Sequence, residues 1–149
     1  MRRVTVLLAI AATATVGLVA SAVPGTAAPA EEPVARPMHF GAVLVGGNEV
    51  PGPGDSDAWG LADVTVERGE VCWHVTVTGV TRPLSAGHIH AGPAGVSGPV
   101  VVPFEPVRRG CADVAPRLTR FIKQHPDQFY VNLHNAEFPP GAVRGQLLP

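Results

Sequence analysis

His88 and His90 stand one residue apart in the stretch Ala86-Gly87-His88-Ile89-His90-Ala91. In an extended strand, alternate residues project from the same face, so both imidazoles point one way and Ile89 the other. Two imidazoles so placed can share one metal ion, and a third from a neighbouring strand completes a three-nitrogen set. His134, in Asn132-Leu133-His134-Asn135, is the best third member, because it projects from the face opposite Val131 and Leu133. His74 and His39 are further candidates. Copper and zinc are the ions that imidazole suits. Asn132 and Asn135 flank His134 and can orient its ring.

A second reading competes with the metal. A histidine at a sheet edge can donate one ring N–H to a backbone carbonyl and simply fix a loop. The residues after His90, Ala-Gly-Pro-Ala-Gly-Val-Ser-Gly-Pro, are nearly without side-chain donors, so their backbone groups need partners from elsewhere. Catalysis by the histidines without a metal is a third reading, and all three stay open from the residues alone.

Other chemistry finds less support. Gly92, Gly95 and Gly98 recur every third residue, but no lysine and no strand-to-helix change follows, so they do not form a phosphate loop. Ser56, Ser85 and Ser97 lie in loop sequence without a nucleophile elbow. Asp55 and Asp57 share one Gly/Pro-rich loop and do not pair for glycoside hydrolysis. No catalytic residue is assigned, and the expectation is a protein that is not an enzyme. Arg144, between Val143 and Gly145, faces away from the apolar side, and Glu137 or Glu49 is its expected ion-pair partner. With 12 acidic and 11 basic residues, the chain has no positive excess with which to grip nucleic acid.

The elements that must hold these residues are short. Gly (17) and Pro (16) are abundant, which favours brief strands joined by turns. Period-two alternation predicts strands at 38–47, 58–67, 70–80, 86–91, 98–104, 130–135 and in the segment closing at 149. Phe40, Ala42 and Leu44 share one face of the first. Trp73, Val75 and Val77 oppose Cys72, His74, Thr76 and Thr78 in the third. Arg68-Gly69 reads as a hairpin turn and Pro140-Gly141 as a type II turn. One helix is expected near residues 115–124, with Pro116 in its first turn, Leu118, Phe121 and Ile122 as an apolar stripe, and His125-Pro126 as its stop. This pattern predicts an antiparallel sandwich or barrel.

Residues 1–30 have the form of a secretory signal peptide. Arg2 and Arg3 precede an uncharged apolar run from Val4 to Ala22, and Ala28-Pro29-Ala30 offers a cleavage site. Removal of that segment takes the formal charge from −1 to −3 and leaves no membrane span in the mature form. Residues 31–37, Glu-Glu-Pro-Val-Ala-Arg-Pro, read as a disordered leader, and 38–149 as one domain. Cys72 and Cys111 are the only cysteines in a chain expected in an oxidising compartment, and no CxxC spacing suits zinc, so a disulfide is expected. A bridge closing nearly forty residues stabilises by about 3–4 kcal/mol in the chain-entropy model.

Three stretches, Gly-Gly-Asn-Glu-Val-Pro (46–51), AGHIHAGPAGVSGPVVV (86–102) and YVNLHNAEFPPGAVRGQL (130–147), resemble the CHRD domain family in the same order. Gly92, Gly98, Asn132, Gly141 and Arg144 are the structural positions of these motifs beside the histidines. The resemblance covers about residues 38 to 148 and implies an all-β, antiparallel Greek-key or immunoglobulin-like β-sandwich outside the cytoplasm. It carries no defined activity. The expectation set beside it is a binding or structural role toward an undefined extracellular protein or surface component.

Overall fold

The computed structural model describes residues 36–149. The expected signal segment, and the leader as far as residue 35, lie outside the described residues. Eight strands form a single antiparallel sheet in the order β5-β4-β7-β8-β1-β2-β3-β6. They are β1 (Met38–Val45), β2 (Trp59–Val66), β3 (Glu70–Thr78), β4 (Leu84–Ala91), β5 (Val100–Pro103), β6 (Arg109–Asp113), β7 (Phe129–Asn135) and β8 (Val143–Gln146). One α-helix, α1, spans Pro116–Gln124.

The two edge strands, β5 and β6, are consecutive in sequence and joined by residues 104–108. That connection bonds to the sheet at both ends. Phe104 donates its N–H to Gly87 O of β4 at 2.9 Å, and Val75 of β3 donates to Arg108 O at 2.7 Å. Trp73 stacks on Phe104 with ring centroids 4.4 Å apart and donates Nε1–H to Pro106 O at 3.0 Å. The sheet therefore rolls almost into a barrel, its two edges drawn together over the indole. The all-β expectation and the one short helix are both present. The pairing runs through one sheet and does not by itself divide it into the two layers of an immunoglobulin-like Greek-key sandwich.

The inside of the roll is apolar, as the alternation requires. Phe40, Ala42 and Leu44 of β1, Val64 and Val66 of β2, and Trp73, Val75 and Val77 of β3 are buried. Ile89, Val131, Leu133 and Val143 line the other half. Helix α1 begins on Pro116 and lies against β2 and β3. Its buried side carries Ile122 and Thr119, and the Thr119 hydroxyl accepts the N–H of Gly69 at 3.3 Å. Phe121, expected on that side, is half-exposed beside His125 and Phe129. A helix of this length shows only a narrow face to the sheet, and Thr119 takes the place next to Ile122.

Cys72 and Cys111 face each other directly across β3 and β6 and are joined by a disulfide. The bridge ties the edge strand β6, which contributes no fully buried side chain, to its neighbour.

Candidate metal centre

Strand β7 is buried along nearly its whole length, yet only Phe129, Val131 and Leu133 of its seven residues are wholly apolar. Val131 and Leu133 point into the roll. Tyr130, Asn132 and His134 alternate with them onto the outer face. The register extends that polar layer over three strands: His88 of β4 lies opposite Asn132, which lies opposite Arg144 of β8. One step along, His90 lies opposite Tyr130, which lies opposite Gln146. Asn132 is 3 % exposed and Arg144 1 % exposed, so the middle of this outer face is buried as thoroughly as the core, with His88, His90, His134 and Gln146 half-buried around it. What covers it is the loop of residues 92–98.

That loop is held from below by the polar layer. His90 Nδ1–H donates to Gly98 O at 2.8 Å, and Gly98 N–H donates to the Tyr130 hydroxyl at 3.1 Å. Arg144 Nη2 donates to Pro93 O at 2.9 Å and Val96 O at 3.0 Å, and Gln146 Nε2 donates to Gly92 O at 3.1 Å. The donor-poor loop thus finds its partners in the motif side chains, as satisfaction of buried backbone groups demands. Gly98 has to be glycine, because a Cβ there would overlap the Ala91 carbonyl. At Gly141 (φ +156°) a Cβ would overlap the Glu49 carboxylate.

The three histidines named from the sequence meet. One ring nitrogen from each of His88, His90 and His134 lies within 4.8 Å of the other two. His88 Nδ1 is 3.2 Å from His134 Nε2. Two of the rings are oriented through their far nitrogens: His134 Nδ1–H donates to Pro139 O at 2.9 Å, as His90 Nδ1–H does to Gly98 O. A carbonyl only accepts, so each of these rings carries its hydrogen on Nδ1 and leaves Nε2 with a lone pair. His90 Nε2 is buried without any hydrogen-bond partner. His90 also stacks on Tyr130 at 4.8 Å between centroids. Burial, with smaller contributions from the neighbouring imidazoles, holds His88 below the ordinary imidazole range. Burial does the same to His134 against the opposing Pro139 hydrogen bond. Both rings are therefore neutral at physiological pH, the form that binds metals. Among the described residues, His74 and His39 take no part; His39 Nδ1 sits 3.0 Å from the Thr65 hydroxyl on another part of the sheet.

Arg144 departs from expectation. Glu137 does not reach it and instead accepts the Thr81 hydroxyl at 2.7 Å. The guanidinium lies 3.4 Å over the Tyr130 ring and spends its hydrogen bonds on loop carbonyls and on Gln146 Oε1. Glu49 remains its electrostatic partner, without a direct hydrogen bond. A backbone loop, whose acceptors are neutral, competed successfully for a cation that charge counting assigns to an acid.

Sequence reasoning did not place two residues beside the histidines. Glu49 is 7 % exposed, and burial pushes its carboxyl up to about 7 against the pull of Arg144 and the Asn132 amide. Its signal was its place in Gly-Gly-Asn-Glu-Val-Pro. Tyr130 is the loop's hydroxyl acceptor, and its place between Phe129 and Val131 hid that role. A second cluster, Glu70 with Cys72 and Cys111, offers no thiolate because the cysteines are bonded to each other.

A family model described as CHRD domain matches residues 40–147. No curated protein matches the chain. No solved structure matches it.

Proposed function

The chain belongs to the CHRD domain family, and from that premise we propose that it is an exported binding protein whose ligand is a copper or zinc ion held by His88, His90 and His134. The observation that carries the reading is the convergence of three ring nitrogens within 4.8 Å, two of them backed by carbonyls that fix the tautomer. Metal-ligating histidines characteristically donate the other ring N–H to such an oxygen, which aims the lone pair inward and raises its basicity. Holding a loop and holding an ion are not rivals here. His90 serves the loop with Nδ1 and has Nε2 left over. When bound, the ion would cross-link β4 to β7 beneath the 92–98 loop. The disulfide supports export, since such bridges persist in oxidising compartments.

Calorimetric titration of the purified protein with Cu(II) and Zn(II) tests the reading. A stoichiometry of one ion, lost in the His88→Ala/His90→Ala variant, is expected; equal heats from both proteins would remove it.

A second reading, attachment to a surface component, has its own observation. Val43 pairs with Leu61 and Val45 with Trp59 across β1 and β2, and Trp59 stands 55 % exposed among them. An exposed aromatic on a flat strand face suits a protein or saccharide surface. Under this reading Trp59→Ala releases the protein from the cell envelope while leaving metal binding intact.

A further inference from the structure

Asn132 Oδ1 joins the three ring nitrogens on the outer face of β4 and β7. His134 Nε2 faces Asn132 Oδ1 at 3.1 Å. With the His134 ring hydrogen committed to Pro139 O, Nε2 presents a lone pair. The other partner also presents one. The amide oxygen is the end of Asn132 turned to the histidines. Without an ion, a His88 ring N–H serves both acceptors; an ion takes the place of that hydrogen when His88 also turns a lone pair inward.

The distances say what would fit. A tetrahedral ion with bonds of about 2.0–2.1 Å sets its ligand atoms about 3.3 Å apart. His88 Nδ1 to His134 Nε2 is 3.2 Å, and His134 Nε2 to Asn132 Oδ1 is 3.1 Å. Two edges of such a tetrahedron are thus already laid out, and His90, whose Nε2 is buried and unpartnered, supplies the remaining corner. Asn132 is firmly held in this position. It sits in the centre of β7 between His88 and Arg144 and is almost fully buried.

We propose that Asn132 Oδ1 is the fourth ligand of the metal site, making it a closed set of three imidazole nitrogens and one amide oxygen. The inference rests on the three-histidine reading and sharpens it. Catalytic sites of this kind keep one position open for water or substrate, whereas a closed set holds an ion and turns nothing over. The protein is therefore a metal carrier or a metal-stapled scaffold.

The test uses Cu(II) as probe and azide as a competitor for a vacant position. Wild type and Asn132→Ala are loaded with Cu(II), then titrated with azide while the azide-to-copper charge-transfer band is followed. Expected is no band in wild type at azide concentrations that saturate the variant, together with at least a tenfold loss of Cu(II) affinity in the variant. The same band in both proteins would overturn the fourth ligand while leaving the three histidines in place. Failure of the wild type to take up Cu(II) would mean that the His88 ring hydrogen stays between His134 Nε2 and Asn132 Oδ1, and both readings would fall. If Asn132→Ala does not fold, the wild-type titration decides alone: a band overturns the proposal and its absence supports it.

Discussion

Replacing Glu49 by glutamine should stabilise the protein, and by an amount that depends on pH. A carboxyl with an ordinary value of 4.5 is pushed up to about 7 here, chiefly by burial. At about 1.4 kcal/mol per pH unit, that difference corresponds to a ceiling of about 3 kcal/mol. The sign follows from proton binding. Between pH 4.5 and 7 the folded state keeps a proton that the unfolded chain releases, so stability falls as pH rises through this window. Glutamine has nearly the same shape and never ionises, so it escapes that fall. Glu49→Gln should equal wild type near pH 4 and exceed it by about 1–3 kcal/mol near pH 8. Urea unfolding of both proteins at pH 4, 6 and 8 measures the difference. His88 and His134 contribute with the opposite sign, because their lowered values make the folded state weaken as pH drops below 6.5. That contribution is common to both proteins and cancels in the comparison. A variant no more stable than wild type at pH 8, or a gap that does not widen between pH 4.5 and 7, would refute the reasoning.

Three other outcomes follow from the same structure. Metal affinity should fall at acid pH, since protons compete for the lone pairs of the ligand imidazoles; titrations at pH 7.5, 6.5 and 5.5 would show it, and an affinity unchanged at pH 5.5 would contradict it. Cys72→Ser/Cys111→Ser should lose about 4 kcal/mol of unfolding free energy, the chain-entropy value for cysteines 39 residues apart, and a loss under about 1 kcal/mol would show that β6 stays in place without its bridge. Tyr130→Phe removes the acceptor of the Gly98 N–H and should weaken the loop closure by about 1–2 kcal/mol, read as roughly tenfold faster hydrogen exchange at Gly98 with little change in the core of β7.

Much of this architecture is legible in the residues because alternation is a steric rule. Val131 and Leu133 against Asn132 and His134 gave two faces of β7 correctly, and the His88–His90 pair followed from the same geometry. The pairing of Cys72 with Cys111 followed from redox chemistry and number. Strand β6 escaped notice: Arg-Gly-Cys-Ala-Asp is a half-exposed edge segment with no large apolar side chain to set a period. The deeper reason that part of the site stayed hidden is that periodicity marks a residue as facing away from the core, and such a residue is ordinarily read as solvated. Here a glycine- and proline-rich loop closes over that face, so Arg144, Asn132 and Glu49 are buried among polar partners instead. Which acceptor Arg144 chooses depends on where Pro93 and Val96 lie in space, and no spacing along the chain encodes that.

The central claim is that the outer face of β4 and β7 is a metal site. Anomalous diffraction from crystals of the purified protein equilibrated with Zn(II), collected on both sides of the zinc edge, addresses it most directly. The account predicts one peak, about 2.0–2.1 Å from a nitrogen of each of His88, His90 and His134. A peak anywhere else, or none among these three rings at saturating zinc, would contradict it.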